Sequence, residues 1–278
     1  MKYVAIGLVC LFGILLLVPM GMMVSGSLMG NVEGAGRLFR VFPRSPTLDN
    51  YRTLLKYPIG RWFFNSTFIA VVSVGGSILV AVATAFGVAK YTFRGRGLVL
   101  AAIVLSILTP GYILTIPKFV VVAQLGLFDT YWAMILPGLF AAGSVWFLVK
   151  FMNAIPNDLI GMGRIDGLGA FGLLRHVIIP MSTPAIAALA ALGVVGAWAE
   201  YMWPLLVLHS PELMVLPVGI HEVAFVEWLQ DQVRGLRSMH GGIPLAGAVI
   251  TTAPGLILFL FTQKFFVGGL FSKKTGGE

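Results

Sequence analysis

Charged residues are almost entirely excluded from six long apolar stretches of this chain, at about 3–29, 62–89, 97–117, 130–150, 183–208 and 241–263. Each is long enough to cross a bilayer. A helix rises 1.5 Å per residue, so about 20 apolar residues traverse the hydrocarbon core. Within lipid the backbone has no water to bond, and a helix satisfies its own amides and carbonyls in a single segment. Composition agrees: 58% of the 278 residues are hydrophobic and 11% are charged, against about 25% charged in ordinary soluble domains. That excludes a soluble enzyme, and a disordered chain as well. The single cysteine, Cys10, lies inside the first apolar stretch and rules out a disulfide framework or a multi-cysteine metal site. The expected fold is an all-α membrane protein of six transmembrane helices in one domain spanning 1–278.

The formal net charge is +8, from 19 Lys+Arg against 11 Asp+Glu. These basic residues are dispersed between apolar stretches, so lipid headgroups are the expected anionic partner and nucleic acid is not. Six spans put both termini on one side, but alternate loops divide ten Lys/Arg against nine, and the positive-inside rule gives no orientation. Lys2 and the triplet Ser25-Gly-Ser27 flank the first stretch as in a signal peptide. Its apolar part exceeds the usual core of about 7–15 residues, so an uncleaved first helix is expected.

Motifs of bond-making chemistry fail on their details. Gly167-Leu-Gly169-Ala-Phe-Gly172 spells a dinucleotide pattern without the strand before it or the acid about 20 residues on. Lys273 stands where a phosphate-binding loop needs glycine, so the chain itself is not expected to hydrolyse ATP. His221-Glu222 opens like a zinc-protease helix, but Phe225 replaces the second histidine. No catalytic residue, metal or cofactor is expected in this chain.

Two charges stand close to apolar sequence. Glu200 lies in Trp198-Ala-Glu-Tyr-Met-Trp203. A carboxylate at membrane depth usually faces a bundle interior or a water-filled path; an interfacial acid bonded to Trp or Tyr is the equal alternative. Trp198, Glu200, Tyr201 and Trp203 are the candidate solute-path residues, because aromatic faces with a carboxylate acceptor suit hydroxylated solutes. Lys118, after Pro117, is expected to snorkel to the headgroups.

The polar segment 153–182 carries the most information. It runs Ile155-Pro-Asn-Asp-Leu-Ile-Gly-Met-Gly-Arg-Ile-Asp-Gly167 and onward to Pro180 and Pro184. Asn157 or Asp158 is expected to cap a short helix after Pro156, with the later prolines marking re-entry into the membrane. A loop this long with its own helix reads as a docking surface. In 209–240, Ile220, Val223, Phe225, Leu229, Val233 and Leu236 interleave with Glu222, Glu227, Asp231 and Arg234, the pattern of an amphipathic helix.

Ile-Pro-x-Asp-Leu, then Arg-Ile-Asp-Gly, then Ile-x-Pro and Ser-x-Pro, resembles the EAA loop of binding-protein-dependent ABC importer permeases of the carbohydrate-uptake type. Leu48-Asp-Asn-Tyr51, Asn65-Ser66, Tyr91-Thr-Phe-Arg-Gly-Arg-Gly97, Leu125-Gly-Leu-Phe-Asp-Thr-Tyr131, Trp198-Ala-Glu-Tyr201 and Phe266-Val-Gly-Gly-Leu270 extend the resemblance over nearly the whole chain. It implies a type I permease in a bacterial or archaeal cell membrane, with both termini and 153–182 cytoplasmic and 209–240 extracytoplasmic. The implied partners are a second permease subunit, two ATPase subunits carrying ATP and Mg, and an extracytoplasmic solute-binding protein. Carried over by position, the ATPase-coupling residues are Asp158, Leu159, Gly161, Met162, Arg164, Ile165, Asp166 and Gly167, with Pro180 after them. Glu222, Phe225, Trp228 and Arg234 are the candidates for contact with the binding protein. The implied function is import of a sugar or sugar-like solute by alternating access. A sugar-phosphate or polyol permease is the alternative, and an autonomous secondary transporter the more distant one. The chain departs from the family where Gly161-Met162-Gly163 replaces Glu-Ala-Ala, and two glycines in a helix cost roughly 1 kcal/mol each.

Overall fold

The computed structural model describes residues 2–30, 42–233 and 242–271. All regular elements among them are helical: α1 (Lys2–Ser27), α2 (Asp49–Leu54), α3 (Ile59–Lys90), α4 (Arg96–Leu108), α5 (Thr115–Gln124), α6 (Tyr131–Gly138), α7 (Ala142–Asn153), α8 (Asn157–Ile165), α9 (Ala170–Leu173), α10 (Ile179–Ala199), α11 (Met202–Val207), α12 (Leu216–Val233) and α13 (Gly242–Phe271). Two compact units divide the chain, one of 1–65 with 214–256 and one of 66–213 with 257–278.

In the first unit, α1 exposes its apolar side chains along its length, from Tyr3 to Val24, as a helix solvated by lipid does. Its C-terminal carbonyls need donors. Asn50 supplies them, its Nδ2 donating to Ser27 O at 2.8 Å and Met29 O at 2.9 Å. Tyr51 Oη and Ser27 Oγ are 2.7 Å apart. Buried Trp62 fills the space that a Cβ on Gly219 would need, 2.4 Å from its ring. Asn65 Nδ2 donates to Met214 O at 2.8 Å, tying the start of α3 to the approach of α12.

The second unit holds a continuous core in which Ala81, Ala85, Ile103, Val145, Leu148, Met152, Leu173 and Ile178 pack together. Ala81 and Ala85 are fully buried because small side chains let helices approach closely where no hydrophobic effect drives them together. On α10, a Cβ at Gly193 would sit 2.9 Å from Val74 Cγ1, another close approach.

Several expected boundaries are corrected by the backbone. The stretch 97–117 is not one straight helix: α4 and the helical segment Gly111–Gln124 meet at 99°. Pro110 cannot continue the helical hydrogen bonds and forces the residue before it out of helical geometry; Thr109 is extended at ψ 119. The stretch 183–208 is displaced. Its helix already begins at Ala170, inside the expected loop 153–182, and runs unbroken as Ala170–Ala199. Pro180 and Pro184 lie within it rather than at its entrance, preceded by a π-helical turn at Leu174–Ile178. Such a wide turn is a place where the helical ladder opens, as a proline requires. The helix stops at Ala199, before the extended residue Glu200. The helix expected within 209–240 is present as α12, Leu216–Val233.

Among the described residues four helices are long and apolar enough to cross a membrane: Ile6–Ser27, Ile59–Lys90, Tyr131–Asn153 and Ala170–Ala199. Counting the bent pair as one broken span makes five among the described residues. The expected stretch 241–263 falls on α13, Gly242–Phe271, a helix of 30 residues.

Candidate functional site

The docking candidate is α8, and its position is set by three devices. Lys90, at the end of α3, donates from Nζ to Ile155 O at 2.7 Å and to Asn157 Oδ1 at 3.1 Å. Asn157 is thereby taken up, and no side chain caps α8, contrary to the capping expected of Asn157 or Asp158. Inward, Ile160 and Gly163 are buried. A Cβ on Gly163 would meet Leu173 Cδ2 at 2.7 Å, so the glycine lets α8 lie against the base of the long helix. At the C-terminus Gly167 adopts φ 80. Leu168 N–H donates to Gly163 O at 2.9 Å and Gly167 N–H to Arg164 O at 3.1 Å, the paired bonds of a Schellman cap. A Cβ at Gly167 would meet nothing within 4 Å, so backbone geometry alone demands the glycine.

Outward, α8 presents Asp158, Gly161, Met162, Arg164 and Ile165, with Asp166 and Gly167 following, while Leu159 is half-buried. Ile165 is 87% exposed and Met162 59%. A polar-edged helix with two exposed apolar side chains has the make-up of a docking surface.

A second candidate lies where two helix breaks meet. Tyr112, Thr115, Lys118, Glu200, Met202 and Trp203 line a cleft of about 240 Å³ in the second unit. Glu200 is exposed, and its Oε1 accepts the Trp203 N–H at 3.1 Å, capping α11. Trp203 Nε1–H donates to Ala133 O at 3.0 Å. The Lys118 ammonium lies 3.7 Å over the Trp203 ring, a cation–π contact. The cleft thus offers a cation, an acceptor and aromatic faces together. Of the four solute-path candidates, Glu200 and Trp203 line it and Trp198 and Tyr201 do not. Trp198 is buried.

On α12, Leu216, Val218, Ile220 and Val223 are buried, whereas Glu222, Phe225 and Leu229 are exposed. The apolar pattern is therefore split between an inner face and an outer one. Glu227 accepts the Tyr57 hydroxyl at 2.9 Å; burial, then this carboxylate, pushes the Tyr57 phenol up. Trp228 belongs to α12, and Arg234 and Leu236 lie outside the described residues.

Sequence reasoning missed the role of Asp129. At φ 55 it occupies the left-handed region, which Asp tolerates better than most side chains. Its Oδ1 accepts the N–H groups of His209 at 2.8 Å and Ser210 at 3.0 Å, and the Ser210 hydroxyl donates to Oδ2. Burial pushes this carboxyl up, but the Ser210 hydroxyl and the two N–H groups outweigh it and hold it below the ordinary carboxylate range. The available signal was Gly126-Leu-Phe-Asp-Thr130, a turn-rich cluster ahead of a helix N-cap; Thr130 does cap α6.

With this geometry in view, the comparisons are specific. Residues 77–270 match the family described as binding-protein-dependent transport system inner membrane component, and the chain belongs to that family. It is a multi-pass protein of the cell membrane, in a family of transport permeases rather than enzymes. The chain is 32% identical over 233 residues to the arabinooligosaccharides transport system permease protein AraQ of Halalkalibacterium halodurans, covering 82% of this chain and 79% of that one. Against protein LplC of Bacillus subtilis it is 31% identical over 263 residues, covering 93% and 88%. Its fold is similar, at a TM-score of 0.81 and 22% identity, to a chain of a bacterial ABC transporter involved in the import of the acidic polysaccharide alginate, with 95% of this chain and 96% of that one covered.

Proposed function

We propose that this chain is the permease subunit of an ATP-driven importer that moves a saccharide or sugar-like solute by alternating access. A binding protein delivers the solute on the outer side, two ATPase subunits carrying ATP and Mg seat α8 on the inner side, and a second permease completes the path. The observation that carries the reading is α8 itself: a short helix with exposed Met162 and Ile165, fixed on its inner side by Gly163 and at its end by Gly167. The saccharide class is supported by the oligosaccharide-permease relative.

The geometry supplies a route for force. α8 bears on Leu173, which opens the helix Ala170–Ala199. That helix of 30 residues is roughly 45 Å long at 1.5 Å per residue. At its far end stands Glu200, lining the polar cleft. A displacement of α8 by the ATPases is thus delivered along one continuous helix to the candidate solute path. The Glu200 carboxylate would accept solute hydroxyls there, and the exposed Tyr112 ring would cover a sugar's apolar face.

Uptake of labelled oligosaccharides into proteoliposomes tests this reading. It should require the ATPases, internal ATP and the binding protein together. Uptake driven by an ion gradient without any ATPase would instead establish an autonomous secondary transporter.

A further inference from the structure

Between the turn joining α3 to α4 and the outer side of α8 lies a cleft of about 340 Å³, within the second unit. Lys90, Arg96 and Arg164 line it together with Tyr91, Asn157 and Gly161, and among the described residues its lining holds no carboxylate. The three cations are held by neutral groups. Lys90 bonds Ile155 O and Asn157 Oδ1, Arg96 Nε donates to Val88 O at 2.8 Å, and the Arg164 guanidinium lies 5.9 Å from the Tyr91 ring centroid. These contacts fix the charges in place and cancel none of them. A bound anion would take charge-assisted bonds from the two guanidinium groups. Gly161 keeps the space open, since a Cβ there would meet nothing within 4 Å.

Location identifies the anion. Lys90 ends one apolar helix and Arg96 begins the next, which places both at the edge of the hydrocarbon layer. Leu98, two residues after Arg96 on α4, is 77% exposed and offers apolar surface to an acyl chain. Basic pockets between membrane helices recruit anionic headgroups. We propose that this cleft binds the phosphate of an anionic phospholipid, with Arg96 and Arg164 on the phosphate oxygens and Lys90 adding fixed positive charge. The lipid braces α8 against the end of α3 and leaves Met162 and Ile165 facing outward.

Native mass spectrometry of the intact transporter, released from detergent with phosphatidylglycerol or phosphatidylcholine, reads this directly. The wild type should retain phosphatidylglycerol at least about tenfold better. Arg96→Gln removes one cation and should lower that preference by about fivefold, the factor for roughly 1 kcal/mol per basic residue. Gly161→Glu, on an exposed position with open space, should abolish the preference by bringing its own carboxylate; Arg96→Lys should keep most of it. Equal retention of the two lipids by the wild type would overturn the proposal, as would a preference unchanged in both Arg96→Gln and Gly161→Glu. Displacement of the lipid by inorganic phosphate alone would assign the site to a free anion. A cross-link from Lys90 to an acidic segment of a partner, with no lipid retained, would assign it to protein docking.

Discussion

Gly161 and Gly163 are two residues apart on one short helix and are glycine for different reasons. Gly161 faces open space, whereas a Cβ on Gly163 would press on Leu173. Gly161→Ala should therefore stabilise α8, by up to about 1 kcal/mol from helix propensity, and raise the thermal midpoint of the purified complex slightly. Gly163→Val should push Leu173 aside and lower it, with α8 displaced from the long helix. Equal effects at both positions would contradict the packing described. At Glu200, Gln keeps an acceptor for the Trp203 N–H and for solute hydroxyls, while Leu keeps neither. Initial uptake rates should be near normal for Glu200→Gln and fall by about tenfold for Glu200→Leu, the loss of roughly one hydrogen bond. The Asp129 carboxyl, held below its ordinary value of 3.8 by Ser210 and His209 donors against the opposing push of burial, gives a signed pH dependence. A depressed carboxyl contributes stability that is fully present above the unfolded value and is lost as pH falls through the lower folded one. The stability difference between wild type and Asp129→Asn should thus be constant near neutrality and shrink below about pH 4, as measured by denaturation across that range.

At the scale of elements, the apolar stretches located the helices because lipid leaves a crossing segment little alternative. They did not locate the breaks. Counting charges is blind to Pro110, whose missing N–H turns one expected span into two helices meeting at 99°. The same residue type misled in the opposite direction at Pro180 and Pro184, where a membrane helix accommodates prolines that would end a soluble one. Asn157 could not be read correctly from its neighbours, because the group that claims it, Lys90, is 67 residues away. Gly167 could, because a Schellman cap is local and needs only a left-handed residue at the helix end. For α12, burial of Val223 makes deletion of Glu222–Arg237 a disruptive test, so the outward face is the better target. The double variant Glu222→Lys with Phe225→Ser should leave assembly intact and lower stimulation of ATP hydrolysis by the binding protein. Unchanged stimulation would place the binding-protein contact elsewhere.

Across the whole molecule, transport requires that ATP turnover and the state of the solute path be linked through this chain, and α8 with the Ala170–Ala199 helix is the link the account assigns. An interaction surface that merely held the ATPases would tolerate a small change of angle at α8; a transmission element would not. Gly167→Val separates the two, because a Cβ there costs about 1–2 kcal/mol of left-handed strain yet meets no neighbour within 4 Å, so the helices should insert and the complex should assemble. The deciding measurement is ATP hydrolysis by the reconstituted complex with and without solute-loaded binding protein, alongside uptake. Gly167→Val should keep assembly and basal hydrolysis while stimulated hydrolysis and uptake both fall by tenfold or more, about 1.4 kcal/mol in the coupled step. Wild-type stimulation and uptake in Gly167→Val, and again in a deletion of Gly161–Gly169, would contradict it.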